Sequence, residues 1–303
     1  MQTAQTTPLS PVAAPVLAAP RPRLLGLVRR VLSTRGAGFG LVVVGVVILL
    51  ALAANVVSPY SPIEQDLTAI LEKPSAQHLL GTDNIGRDIL SRIIHGSRVS
   101  VQAGLVSVGI AIVVGTLMGL VAGYFGGWVD DLLMRTADAL YSFPSLVLAL
   151  AIAAALGSGL GNVMIAIGVV FTPVFARLVR GSTLSVRERE FVTAARVLGA
   201  TNARIIGRHV LPNVVAPIVV QGSLMVAGAI IVEASLSFLG LGVQPPAPSW
   251  GGMLRDAYQF MQLAPWLSFF PGAAIFLTVL GINLLGDGLR RALDPRLRGR
   301  GEG

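Results

Sequence analysis

The 303-residue sequence contains no cysteine, so neither a disulfide framework nor thiolate ligation of a metal is open to it. Charge is scarce. Asp, Glu, Lys and Arg make up 13% of the residues, about half the share of a soluble domain. Lysine is almost missing: Lys73, preceded by Glu72, is the single one, and every other basic residue is Arg. A phosphate-cradling loop of the G-x-x-x-x-G-K-[ST] type needs Lys directly after Gly. No nucleotide-hydrolysing site of that kind can therefore be built here. His78, His95 and His209 are scattered and form no metal-binding set. No nucleophile–base pair stands out, and the sequence predicts no catalytic residue, no cofactor and no metal site.

Apolar residues fill the space that charge leaves. They make up 53% of the chain, and mean hydropathy is +0.75. Charge-free runs extend over 36–63, 99–129, 139–176, 211–232 and 257–286. A helix crossing a bilayer needs about 20 apolar residues, set by a hydrocarbon core of about 30 Å. Four of the runs fit one such helix. The 139–176 run fits two, with a turn at Gly157-Ser-Gly-Leu-Gly161. The sequence thus predicts an all-α membrane protein with six spans, approximately 40–57, 99–122, 139–156, 162–179, 214–238 and 266–286.

Six crossings place both termini on one side. That side holds 18 basic residues and the other 5, and an excess of Arg marks the cytoplasmic face. The net charge of +8 is sorted by membrane side, which argues against a nucleic-acid surface. Residues 1–22, rich in Pro, Ala and Thr, read as a disordered cytoplasmic tail. No basic residue precedes Arg21, so the first span reads as a retained anchor rather than a cleaved signal. Residues 23–98 read as this anchor with an external segment, 99–290 as a core of five helices, and 291–303 as a second cytoplasmic tail.

The loop over 180–212 is the most informative stretch. Ser185 and Glu188 have capping-box spacing, which predicts a helix start. Phe191, Ala194, Ala195 and Leu198 then fall at i, i+3, i+4 and i+7, a narrow apolar stripe. Gly199 closes that helix, Thr201 caps a second short one, and Pro212 marks the start of the next span. An interfacial helix lying on lipid would prefer bulky residues on its stripe. Small ones suit insertion into a protein groove.

This loop resembles the cytoplasmic coupling motif of permease subunits in binding-protein-dependent ABC importers: Glu-Ala-Ala, a Gly four residues later, then Ile and Leu-Pro. Ala194, Ala195, Gly199, Ile206, Leu211 and Pro212 match, and Thr193 stands in the Glu position. Three other stretches are similar to the dipeptide/oligopeptide/nickel branch: His78 to Arg92, Gly123 to Asp130, and Glu233 to Gly251. The likeness covers approximately residues 24–297, and the chain looks like the second of two different permeases that pair into one pore. It implies a bacterial inner-membrane location and four kinds of partner: membrane lipid, a related permease, two cytoplasmic ATPase subunits (or one fused ATPase), and an extracytoplasmic substrate-binding protein. Di- or oligopeptides are the implied cargo. ATPase coupling would fall to Glu190, Thr193, Ala194, Ala195, Arg196 and Gly199.

Other residues have two readings each. Thr82 or Asp83 can cap an amphipathic helix over 81–96, with Arg87, Asp88 and Arg92 on its polar side. This is either an interfacial lead-in or a docking surface for an external protein. Glu233 is the one acid expected inside a span, as a pathway residue or as a structural pair. Gly115, Gly119 and Gly123 repeat at the spacing that lets helix backbones approach. Pro144, Pro173, Pro217 and Pro271 predict kinks, and Trp250, after the Pro245–Pro248 turn, predicts an interfacial anchor. The rival functions are an ion-gradient-driven transporter or channel subunit, which would call for ionisable residues near the bilayer midplane or discontinuous helices around an ion site, and a membrane scaffold.

Overall fold

The computed structural model describes residues 36–293. The expectations for the 1–22 tail, for the arginine flank up to Arg35 and for the segment beyond 293 lie outside the described residues. Five helices are long and apolar enough to cross a membrane: α1 (Ala37–Val57), α2 (Ile89–Phe125), α5 (Leu160–Arg187), α8 (Leu211–Phe238) and α10 (Trp266–Leu293).

The expected third span differs. Instead of one helix over 139–156 there are two, α3 (Gly127–Tyr141) and α4 (Ser145–Leu156), bent by 94°. Pro144 is the cause. It has no N–H to donate and it disfavours helical backbone at Phe143, so the helix ends at Tyr141 and restarts after the proline. The 12 residues of α4 reach only about 18 Å at 1.5 Å per residue. The polar α3, with Asp130, Asp131, Arg135 and Asp138, turns aside.

The lead-in over 81–96 is not a separate helix. Its second half is the start of α2, a continuous helix of 37 residues. Neither Thr82 nor Asp83 caps it. Asp88 does, its carboxylate accepting from the Ser91 amide at 2.8 Å. Residues 58–88 instead form a compact lobe. There Asp83 accepts the amides of Ile85 and Arg87, both at 3.0 Å.

Glycines set the packing directions. A Cβ on Gly115 would lie 2.7 Å from the Thr172 carbonyl, one on Gly119 2.5 Å from that of Ala176, and one on Gly123 2.9 Å from that of Arg180. These contacts advance together along both helices, so α2 and α5 run parallel with their backbones touching. A parallel pair requires the chain to return across the bilayer between them, and α3 with α4 makes that return. Gly104 meets Val226 and Ile230 while Gly222 meets Ile112, so α8 runs antiparallel to α2. Gly40 faces the Gly281 carbonyl and Gly36 faces Leu284, which sets α1 against α10. The start of α1, the ends of α2, α5 and α10, and the start of α8 therefore share one face of the bundle.

Trp250 is a further correction. It is 2% exposed and opens the short helix α9 (Trp250–Tyr258). Its indole N–H donates to the Ile93 carbonyl at 3.0 Å, and its ring lies against Gly96. The space left by that glycine draws the indole inward to lock α9 onto α2, rather than leaving it at the interface.

Candidate functional site

The segment between α5 and α8 lies on the face shared by the start of α1 and the end of α10. The span helix α5 continues through Ser185, so the expected start there is displaced. The break comes at Glu188–Arg189, and α6 (Glu190–Val197) follows, with Arg189 extended at φ −76°, ψ 145°. The end of the helix matches its sequence. Gly199 takes φ +77°, the Ala200 amide reaches back to the Ala195 carbonyl at 3.0 Å, and that of Gly199 to Arg196 at 3.0 Å. Thr201 then caps α7 (Asn202–Ile205), its hydroxyl accepting from the Arg204 amide at 3.4 Å. A π-helical turn over Ile206–Val210 passes directly into α8.

The predicted stripe is split between two faces. Val192 is fully buried and Ala195 packs beside it, joining Ile205 and Val210 in the main core. These residues hold α6 to its own chain. Phe191 (41% exposed), Val197 (82%) and Leu198 (86%) face outward with Ala194. Burial of such side chains stabilises by roughly 1.5–3 kcal/mol each, so this face gains by meeting another surface. Glu190, Thr193, Arg196 and Gly199 are exposed around it. Of the residues named from the sequence, Glu190, Thr193, Ala194, Ala195 and Arg196 lie on this eight-residue helix, and Gly199 follows its end.

Three contacts that sequence reasoning missed hold this segment in place. Arg180 of α5 donates to both oxygens of Asp130 on α3, at 2.5 and 2.6 Å, a bidentate geometry. Arg187 donates to the Gly123 carbonyl at 2.9 Å and to that of Tyr124 at 3.4 Å, satisfying carbonyls that the end of α2 leaves open. The Tyr124 hydroxyl donates to Asn202 Oδ1 at 2.8 Å. Their partners stand 50 to 78 positions apart, and no local pattern signals them. Arg177 adds a cation–π contact 3.9 Å above Tyr141.

The residues singled out elsewhere do not join this site. Arg87, Asp88 and Arg92 are 6%, 3% and 4% exposed, and their charges are consumed internally. Arg87 Nε lies 2.6 Å from Asp83 Oδ2 and its Nη2 3.7 Å from Asp256 of α9. Arg92 lies 3.6 Å from Asp83 and donates to the Pro62 carbonyl at 3.1 Å. Asp88 pairs with His78 at 3.0 Å. These side chains tie the lobe to α2 and α9 and are not free for surface contact. Glu233 is fully buried in α8. Its Oε1 accepts from the Ser237 hydroxyl at 2.6 Å, and its Oε2 has no partner among the described residues.

Comparisons with known proteins agree with this architecture. Residues 115–299 match the family described as the binding-protein-dependent transport system inner membrane component. Residues 25–74 match the N-terminal transmembrane domain of oligopeptide transport permease C. The chain is 49% identical over 259 residues to a dipeptide transport system permease protein of Alkalihalophilus pseudofirmus, covering 86% of this chain and 85% of that one. It is 48% identical over 256 residues to a glutathione transport system permease protein of Pectobacterium atrosepticum, covering 84% and 85%. Among solved structures, an inward-facing methionine ABC transporter shares the fold, with a TM-score of 0.54, 19% identity and coverage of 67% of this chain and 96% of that one. With its helical spans, its glycine-packed core and its short helix carried between α5 and α8, the chain belongs to the binding-protein-dependent transport system inner membrane components, the permeases of ABC importers.

Proposed function

We propose that the chain forms half of the pore of an ATP-driven importer of short peptides, and that α6 is its handle for the ATPase. The observation that carries this reading is the outward face of α6. Phe191, Ala194, Val197 and the capping Leu198 are exposed on a short helix joined to α5 through Glu188–Arg189 and to α8 through α7 and the π-helical turn. Glu190 and Arg196 flank that face for polar contacts, Ala194 allows close approach, and Gly199 supplies the sharp reversal behind it.

The positive-inside rule supports a cytoplasmic location for this face, because the sequence divides its basic residues 18 to 5 between the two sides of the expected spans. The chain itself cannot cradle ATP, so hydrolysis falls to cytoplasmic ATPase subunits, two of them or one fused. A homologous permease would complete the pore, and an extracytoplasmic binding protein would deliver cargo. The dipeptide and glutathione relatives support short peptides as that cargo. Closure of the ATPases would push α6, and the bundle would alternate between inward and outward openings.

The test uses Leu198→Glu. Leu198 makes little contact with its own chain, so the variant should purify with an unchanged thermal midpoint. Its binding of the partner ATPase, measured by titration in nanodiscs, should weaken at least about tenfold, or 1.4 kcal/mol. Gly199→Pro should lose binding as well. Retention of wild-type affinity by Leu198→Glu would remove α6 as the docking element.

A further inference from the structure

The lobe over residues 58–88 lies on the face of the bundle opposite α6. It carries a groove of about 440 Å³ lined by Tyr60, Glu64, Asp66, Gln77, His78 and Asp88 together with Gln65, Leu67 and Gly86. Three carboxylates line it, and no Lys or Arg side chain does among the described residues.

Its acceptors are fixed in advance. Gly86, at φ +78°, leaves no room for a Cβ against the Asp66 backbone, and the Asp66 amide donates to the Gly86 carbonyl at 3.3 Å. Asp66 Oδ1 takes the Thr68 hydroxyl at 2.5 Å and its amide at 2.9 Å. The Thr68 hydroxyl, more than its amide, holds this carboxyl below its ordinary range. Oδ2 is left without a partner among the described residues.

His78 is 9% exposed, with Nδ1 3.0 Å from Asp88 Oδ1. An ionised carboxylate only accepts, so Nδ1 carries a proton and, in the neutral ring, Nε2 is an acceptor. Nε2 has no donor facing it among the described residues, and its ring lines the groove. Tyr60 stacks against His78 with ring centroids 4.9 Å apart. Its hydroxyl donates to the Gln77 carbonyl at 2.9 Å, so it offers an aromatic face rather than a donor.

The groove therefore presents negative charge, the Nε2 acceptor of the neutral His78 ring and a π-face, with the Gln65 and Gln77 amides as its side-chain N–H donors. Exposed carboxylates beside an aromatic face and a ring acceptor suit an organic cation. We propose that this groove binds an N–H-bearing organic cation, an alkylammonium or guanidinium group. Asp66 and Glu64 supply the charge, His78 Nε2 accepts a hydrogen bond, and Tyr60 faces the cation. The proposal stands on the groove alone and is independent of the importer reading. Such a head group occurs on free amines and peptide termini, and also on Lys or Arg of a docking protein.

The experiment is calorimetric titration of arginine amide into the full chain in nanodiscs. Saturable binding is expected, weakened at least about tenfold in Asp66→Asn and in Glu64→Gln. Asp66→Asn keeps an acceptor for Thr68, and Glu64 is exposed, so both variants should retain the wild-type thermal midpoint. Tetramethylammonium has the charge but no N–H, and should bind at least about tenfold more weakly. A dissociation constant below about 0.1 mM would identify a free solute as the source. A value of several mM would identify a side chain whose remaining affinity comes from its own protein's surface. No saturation up to about 50 mM, unaltered binding in Asp66→Asn, or equal binding of tetramethylammonium would overturn the proposal.

Discussion

Replacing Gly119 by Ala adds one methyl group where α2 meets α5. That carbon would sit 2.5 Å from the Ala176 carbonyl oxygen, 2.7 Å from Val179 Cβ and 2.9 Å from the Arg180 amide nitrogen. Two of these three atoms are backbone, so no side-chain rotation relieves the clash. The helices must separate by about 0.9 Å before the first contact reaches the 3.4 Å at which ordinary approach begins. Overpacking of this kind costs about 1–3 kcal/mol, offset by about 1 kcal/mol of helix propensity gained over Gly. Gly109 on the same helix supplies the control, because a Cβ there meets nothing within 4 Å. Gly109→Ala should therefore stabilise by up to about 1 kcal/mol, while Gly119→Ala should gain nothing or destabilise by up to about 2 kcal/mol. Reversible unfolding in mixed micelles, followed by tryptophan fluorescence, measures both. Equal stabilities for the two variants would refute the close backbone contact, and with it the parallel placement of α2 and α5.

Asp83→Asn leaves Arg87 and Arg92 buried with only the more distant Asp256 as counter-charge. Stability should fall by roughly 3 kcal/mol, as a lower unfolding midpoint, and a loss under 1 kcal/mol would show that the network is not structural. Tyr124→Phe removes one hydrogen bond to Asn202, worth about 1 kcal/mol. Amide exchange should rise selectively over residues 199–206, and uniform exchange along the chain would contradict the tether.

Legibility followed the range of the physics. Apolar runs revealed every long span, because crossing a bilayer is a demand on composition over about 20 residues. Local backbone chemistry was equally plain. Gly199 and Thr201 end and begin helices where their residue types require it, and the spacing of Gly115, Gly119 and Gly123 announced a close helix pair. Contacts between distant segments were hidden. Trp250 looked like an interfacial anchor because its destination, the gap beside Gly96, lies 154 positions away. Arg87 and Arg92 looked like a polar helix face because Asp83, their near partner, belonged to the same expected helix, and because Asp256 and Pro62 are remote in sequence. The apolar stripe on α6 was visible, but the buried residue proved to be Val192. Which side of so short a helix turns inward depends on how α5 delivers it. Pro144 was noted as a kink, and its effect was larger, splitting one expected span into two helices at nearly a right angle.

The shared seam of α2 and α5 has a mechanical consequence. Two helices with glycine-to-backbone contact along three successive turns leave no compliant layer of side chains between them, so they resist sliding and behave as one strut. One end of that strut is joined to the segment carrying α6 and α7 through Arg187 and Tyr124. Its other end carries the lobe with the acceptor-lined groove. A rigid seam of this kind favours movement of the two helices as one body over sliding between them.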